Sequence, residues 1–172
     1  QTVSILSDER DLATIRGGAS EFTIPGLNAE EYPELPNFEQ QSDLVLKQGV
    51  LKSMIDQTLF AIATTDSKPM HTGSLFDIKD SCVTLVSVDG YRLALRREPI
   101  VSDLTTRFIV PGKTLAEISK LLKEEDEEAY LALSQKHIVF RIGGYYVVSR
   151  LLEGEFLDYN AAIPKVSKTT VK

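Results

Sequence analysis

Residues 48–63, QGVLKSMIDQTLFAIA, put Leu51, Met54, Ile55, Leu59 and Ile62 on one stripe of a helix, with Lys52, Ser53, Asp56 and Gln57 away from it. Residues 111–124, PGKTLAEISKLLKE, repeat the pattern: Pro111 suits a first turn, Leu115, Ile118 and Leu122 form the stripe, and Lys113, Glu117 and Lys120 occupy the other face. Gly49 and Gly112, Ile55 and Ile118, and Leu59 and Leu122 are each 63 positions apart. Each predicted helix follows a short strand, DLVLK (43–47) or TRFIV (106–110), and precedes three more. Those strands are expected at 73–78, 82–88 and 91–97, then at 128–133, 137–142 and 145–151, with turns at Gln135-Lys136 and Gly143-Gly144. A unit of strand, helix and three strands therefore occurs twice. The expected class is α+β: a pseudo-twofold domain with two amphipathic helices on one side, each laid on its own antiparallel sheet.

A longer repeat links the two ends. SEFTIPGLNAEEYPELP (20–36) and SRLLEGEFLDYNAAIP (149–164) both run from serine through an apolar strand to glycine, tyrosine and an apolar-proline pair, with Gly26 and Gly154 128 positions apart. The expected organisation is residues 1–36 as closing strands of a preceding copy, 37–42 as linker, 43–164 as a complete domain, and 165–172 as the start of a linker to another.

The 172 residues carry a net charge of -6, which argues against a generally basic nucleic-acid binder but leaves room for one basic face. The only cysteine, Cys82, falls in an apolar strand and reads as a buried thiol in a reducing compartment, which suits the cytoplasm. No apolar run reaches the roughly 20 residues of a membrane-spanning helix. An enzyme is disfavoured: there are two histidines, His71 and His137, and no Cys/His metal spacing, glycine-rich phosphate loop or nucleophile elbow. The acidic run EEDEE (124–128) reads as a solvated turn, because adjacent side chains do not converge on one ion. No cofactor is expected.

VSVDGYRLAL (86–95) contains Asp89-Gly90, a strong two-residue hairpin signal. That turn would make Val88 face Tyr91 and Val86 face Leu93, leaving Ser87, Arg92 and Ala94 on the opposite side. A plain half-buried hairpin accounts for this pattern without any function.

Five stretches in order resemble the bacterial sliding clamps, the beta subunits of DNA polymerase III: FTIPGLNAEEYPELP, MIDQTLFAIATTDSKPMHTGSLF, VSVDGYRLAL, FIVPGKTLAEI and SRLLEGEFLDY. The resemblance implies the DNA clamp fold and a three-domain protomer that closes head to tail as a homodimer, with helices lining a hole for duplex DNA. It implies a processivity factor that docks the DNA polymerase III alpha subunit, the clamp loader and other clamp-binding-motif proteins. Lysines on helices facing such a hole attract phosphate without reading bases. Lys47, Lys52, Lys113, Lys120 and Lys123 are the candidates; Lys113 best matches a basic position of the family, and Thr65 and Lys68 fall in a loop resembling a DNA-proximal one.

The resemblance also implies a hydrophobic peptide pocket walled by Val88, Gly90, Tyr91, Arg92 and Leu93, with Met70, His71 and Pro164, and completed by a third domain. Three positions depart from the family pattern: His71 stands where leucine is usual, Tyr91 where histidine is common, and Leu157 where proline is usual. His71 reads first as a packing residue, and alternatively as the mark of a pocket retuned toward a polar or aromatic anchor. The competing functional reading is a stand-alone peptide-binding scaffold that does not act on DNA.

Overall fold

The computed structural model describes residues 2–32, 43–65, 68–123, 126–164 and 166. The expected linker at 37–42, and all but Val166 of 165–172, lie outside the described residues. The chain divides into two compact units, residues 1–37 and 38–172.

The first unit is an antiparallel meander of β1 (Val3–Ser7), β2 (Leu12–Gly17) and β3 (Ser20–Pro25), in that spatial order. The Asp8 side chain turns the first corner by accepting the N–H groups of Arg10 and Leu12, each at 2.9 Å. Pairing of Ile5 with Ile15, and of Ile15 with Phe22, gathers Val3, Ile5, Ala13, Ile15, Phe22 and Ile24 on one face.

The second unit opens with β4 (Asp43–Lys47) and α1 (Gln48–Thr58), followed by β5 (Gly73–Lys79), β6 (Cys82–Val88) and β7 (Leu93–Pro99). The same series returns as β8 (Thr106–Pro111), α2 (Gly112–Leu121), β9 (Glu128–Leu133), β10 (His137–Ile142) and β11 (Tyr145–Arg150), and a short α3 (Tyr159–Ala162) closes it. The expected strand order is therefore present, and the leading strands are exchanged. β4 pairs with β9 in a sheet ordered β11-β10-β9-β4, and β8 pairs with β5 in a sheet ordered β7-β6-β5-β8.

This exchange alters the expectation of one helix per sheet. α1 packs on β6 and β7 and also touches β4 and β9, while α2 packs on β5 and β8 and reaches β11 through the Thr114–Ser149 hydroxyl pair at 2.8 Å. Leu51, Met54 and Ile55 of α1, and Leu115, Ile118 and Leu122 from α2 and its end, are all no more than 2% exposed. They share one core with Leu44, Phe76, Leu85, Val110, Leu131 and Phe140 from both sheets. Phe76 and Phe108 stack across the β5–β8 pair with centroids 5.1 Å apart.

Two elements end earlier than the sequence pattern implies. Thr58 donates its hydroxyl to the Met54 carbonyl at 2.8 Å, and α1 tightens there into a 3-10 turn over Leu59–Ala61. That turn exposes Phe60 and buries Ala61. Pro111 sits just before α2, at its N-cap, and Leu122 is its extended C-cap.

Gly73 lies where β5 meets β8, and a Cβ there would collide with the Val110 carbonyl oxygen. Gly73→Ala is expected to destabilise the fold by about 1–3 kcal/mol through overpacking, whereas Gly144→Ala, which meets open space, changes little. Urea midpoints of the two variants check this, and equal midpoints would contradict the close approach.

Candidate functional site

The corner between β6 and β7 is wider than a two-residue hairpin. Val88 pairs with Leu93 and Val86 with Leu95, so four residues, Asp89 to Arg92, form the loop. The cause is the Asp89 carboxylate, which accepts the N–H groups of Tyr91 at 3.0 Å and Arg92 at 3.1 Å, and the Arg92 Nε at 2.8 Å. Gly90 supplies the positive φ of 91° that the loop needs. Donation from Tyr91 N–H first, then from Arg92, holds the Asp89 carboxyl below the usual carboxylate range despite some desolvation. Tyr91 is expelled to full exposure and does not face Val88. Val86, Val88 and Leu93 still share a side, and Arg92 lies 5.7 Å from the Phe60 ring centroid.

That corner forms one wall of a hollow of about 400 Å³. Val88, Gly90, Tyr91, Arg92, Leu93 and Pro164, all expected from sequence, line it. Leu157, Ala162 and Ile163 join them; Leu157 stood out in the sequence only as a departure from the family pattern, and no periodicity marked Ala162 or Ile163. Met70 and His71 line an adjoining hollow that shares Leu157.

His71 is 8% exposed and packs edge-on against Phe156, with ring centroids 5.3 Å apart. Its environment matches the packing reading. Burial, then the Lys68 charge, lowers its pKa below the ordinary 6.5.

The polar sides of α1 and α2 are open to solvent at Asp56, Gln57, Lys113, Glu117 and Lys120. Ser119 joins the helices by donating to Asp56 at 2.6 Å. Lys52 is half-buried and donates its ammonium to the carbonyls of Ser119 and Leu122, at 3.4 and 3.2 Å, satisfying the C-terminal end of α2. Its charge is thus directed at a helix end, unlike a lysine projecting freely from the surface. Gln48, which sequence reasoning missed, is 1% exposed and bridges the Lys123 N–H to the Glu127 carboxylate.

The remaining expected lysines differ in their company. Lys47 pairs with Asp126 at 2.8 Å, Lys120 with Glu117 at 2.8 Å and Lys123 with Glu127 at 3.8 Å. Lys113 and Lys68 are exposed and make no ion pair among the described residues, and Thr65 is exposed in the same loop as Lys68. The helical face is consequently a mixture of charges rather than a basic stripe. Of the acidic run, Glu124 and Glu125 lie outside the described residues. Asp126 and Glu127 are held by lysines and Glu128 accepts the Tyr130 hydroxyl. No group of three potential metal-ligating side chains is present among the described residues, and no described helix is long and apolar enough to cross a membrane.

Residues 45–158 match the family model for the central domain of the DNA polymerase III beta subunit. The chain belongs to this family. A beta sliding clamp from Halalkalibacterium halodurans is 36% identical over 99% of this chain and 46% of its own length. The crystal structure of the Bacillus subtilis DNA polymerase sliding clamp superposes with a TM-score of 0.85 at 34% identity, covering 96% of this chain and 44% of that one. A Pseudomonas aeruginosa sliding clamp bound to griselimycin gives a TM-score of 0.81 at 30% identity, over 96% and 45% of the two chains. This chain therefore spans about half the length of the sliding clamps it matches, and the expected clamp fold is borne out.

Because His71 binds its proton less readily when folded, the unfolded chain holds more protons as pH falls below about 6.5. The His71 contribution is therefore complete above that pH and declines as pH falls through it toward the lower folded pKa. His71→Leu should flatten this part of the stability profile, read from urea midpoints at pH 5.5 and 7.5. An unchanged profile would place the proton elsewhere.

Proposed function

We propose that this chain is part of a DNA polymerase processivity factor, a clamp that encircles duplex DNA without reading its sequence. In this reading the full-length protein closes as a homodimeric ring in the cytoplasm. It docks the DNA polymerase III alpha subunit, the clamp loader and other proteins bearing a clamp-binding motif. It acts by topology and binding rather than catalysis, and uses no cofactor.

The observation that carries this reading is the combination, on one sliding-clamp domain, of a polar helical side and an apolar hollow at the Asp89–Arg92 corner. Leu93, Ile163 and Pro164 offer apolar surface to an extended peptide, Gly90 leaves room for its backbone, and Arg92 can reach its carbonyls or acids. The mixed charge of the helical side suits a ring retained by closure: individual phosphate contacts are weak, so the ring can move along the duplex. Lys113, Lys68 and Thr65, with Lys47, Lys120 and Lys123, are the DNA-side residues. The meander of the first unit has the topology of the strand trios in the second, which supports residues 1–36 as closing strands of a preceding copy.

The full-length protein, loaded onto nicked circular duplex DNA, should stay bound through gel filtration and leave when the circle is cut. Equal retention on linear DNA would indicate an ordinary DNA binder. Peptide binding with no retention on circles would favour the scaffold. In the same protein Leu93→Ala is expected to weaken an extended, apolar-anchored peptide about tenfold by fluorescence polarisation. Unaltered affinity would move the peptide site away from this hollow.

A further inference from the structure

The segment that follows β11 forms one side of three hollows. Leu152, Gly154 to Phe156 and Asp158 border a first of about 500 Å³ beside Arg107 and Phe108, Glu155 to Asp158 border the His71 hollow, and Leu157 with Ala162 to Pro164 form the far wall of the corner hollow. Its last backbone hydrogen bond to a sheet is Leu152 N–H to the Ile109 carbonyl at 2.9 Å. Beyond that point, among the described residues, its backbone hydrogen bonds stay within the segment, from Ala162 and Ile163 to the carbonyls of Asp158 and Tyr159 and from Asn160 and Ala161 to the Asp158 side chain. Side chains must therefore set where the far wall stands.

Two aromatics fasten the segment. Phe156 and Tyr159 enter a second apolar cluster with Leu75, Val86, Val88 and Ile109. Ring burial alone is non-directional and leaves rotation about the segment free. The Tyr159 hydroxyl adds direction: it donates at 2.8 Å to Oδ2 of Asp77 on β5, and the same oxygen lies 3.6 Å from the Arg107 Nε. Asp77 is only 4% exposed, so its carboxylate depends on these donors, and a bond to a buried charge is costly to lose. Tyr159 is the first residue of α3, whose N-terminus Asp158 caps by accepting the N–H groups of Asn160 and Ala161. Fixing Tyr159 thereby fixes the direction in which α3 delivers Ala162, Ile163 and Pro164.

We propose that the Tyr159–Asp77 hydrogen bond is the positioning contact that sets the separation between the Ala162–Pro164 wall and the Gly90–Leu93 corner, and hence peptide affinity. This rests on the reading of the corner hollow as a peptide site. Tyr159 touches no peptide in this scheme; it acts through α3.

The test uses Tyr159→Phe in the full-length protein, with Asp77→Ala and the double variant. Two readouts are taken: hydrogen exchange of the amides at 160–163, and fluorescence-polarisation affinity for an extended, apolar-anchored peptide. Tyr159→Phe should speed exchange at 160–163 about tenfold with β5 amides unchanged, and weaken the peptide about tenfold through faster dissociation. In the Asp77→Ala background the same change should cost less than twofold, because the hydroxyl has lost its acceptor. Should that background fail to fold, Tyr159→Phe alone decides. Peptide affinity within twofold of the parent, or unaltered exchange at 160–163, overturns the positioning role while leaving the site intact. Absence of peptide binding to the parent protein overturns the site reading itself.

Discussion

Neither half of the repeat encloses its own apolar surface, because the strand that leads into each helix hydrogen-bonds to the other half's trio. β4 belongs to the sheet of β9–β11 and β8 to the sheet of β5–β7, so both sheets and both helices are committed to a single interior. This exchange is the constraint on which the remainder depends. It fixes the spacing of α1 and α2, and the polar seam between them follows: Asp56 meets Ser119, Lys52 reaches the last carbonyls of α2, and Gln48 ties the start of α1 to the residues after α2. Neighbouring helices bound in this way present their outer sides together.

The opposite face of the β5–β8 sheet works differently. There a smaller apolar cluster is closed by an incoming segment, which contributes Leu152, Phe156 and Tyr159, rather than by a long helix laid along the sheet. The hollow at the Asp89–Arg92 corner lies between a well-paired hairpin and a segment that is anchored by side chains rather than by strand pairing. The hollow thus lies where regular structure ends, the kind of place where binding groups tend to sit on loops above a rigid scaffold.

Much of this was legible in the sequence, and the limits have physical causes. The helices and trios could be read because periods of 3.6 and 2 follow directly from which face is buried, and the 63-residue offset tied them into a repeat. Periodicity does not say which strand is the neighbour, so the exchange of β4 and β8 was invisible. The end of α1 at Thr58 turned on one hydroxyl bonding back to Met54, a competition that stripe counting does not weigh. The Asp89 corner was misjudged by two residues because Asp-Gly favours a tight turn, whereas an aspartate side chain can also gather two N–H groups in a wider one. Lys52 read as an exposed cation because a helical wheel shows the angle of a side chain but not the carbonyls of the next helix. Six of the nine corner-hollow residues followed from the family resemblance, while Asp77 and Tyr159, 82 positions apart, carry no pattern that would couple them.

The Asp89 loop is shaped chiefly by its own carboxylate: Tyr91 is fully exposed, and the hydrogen bonds that curve the chain all lie within four residues. Such a knob carries its stiffness with it. Thermal breathing of the sheets beneath it therefore leaves its outline largely intact.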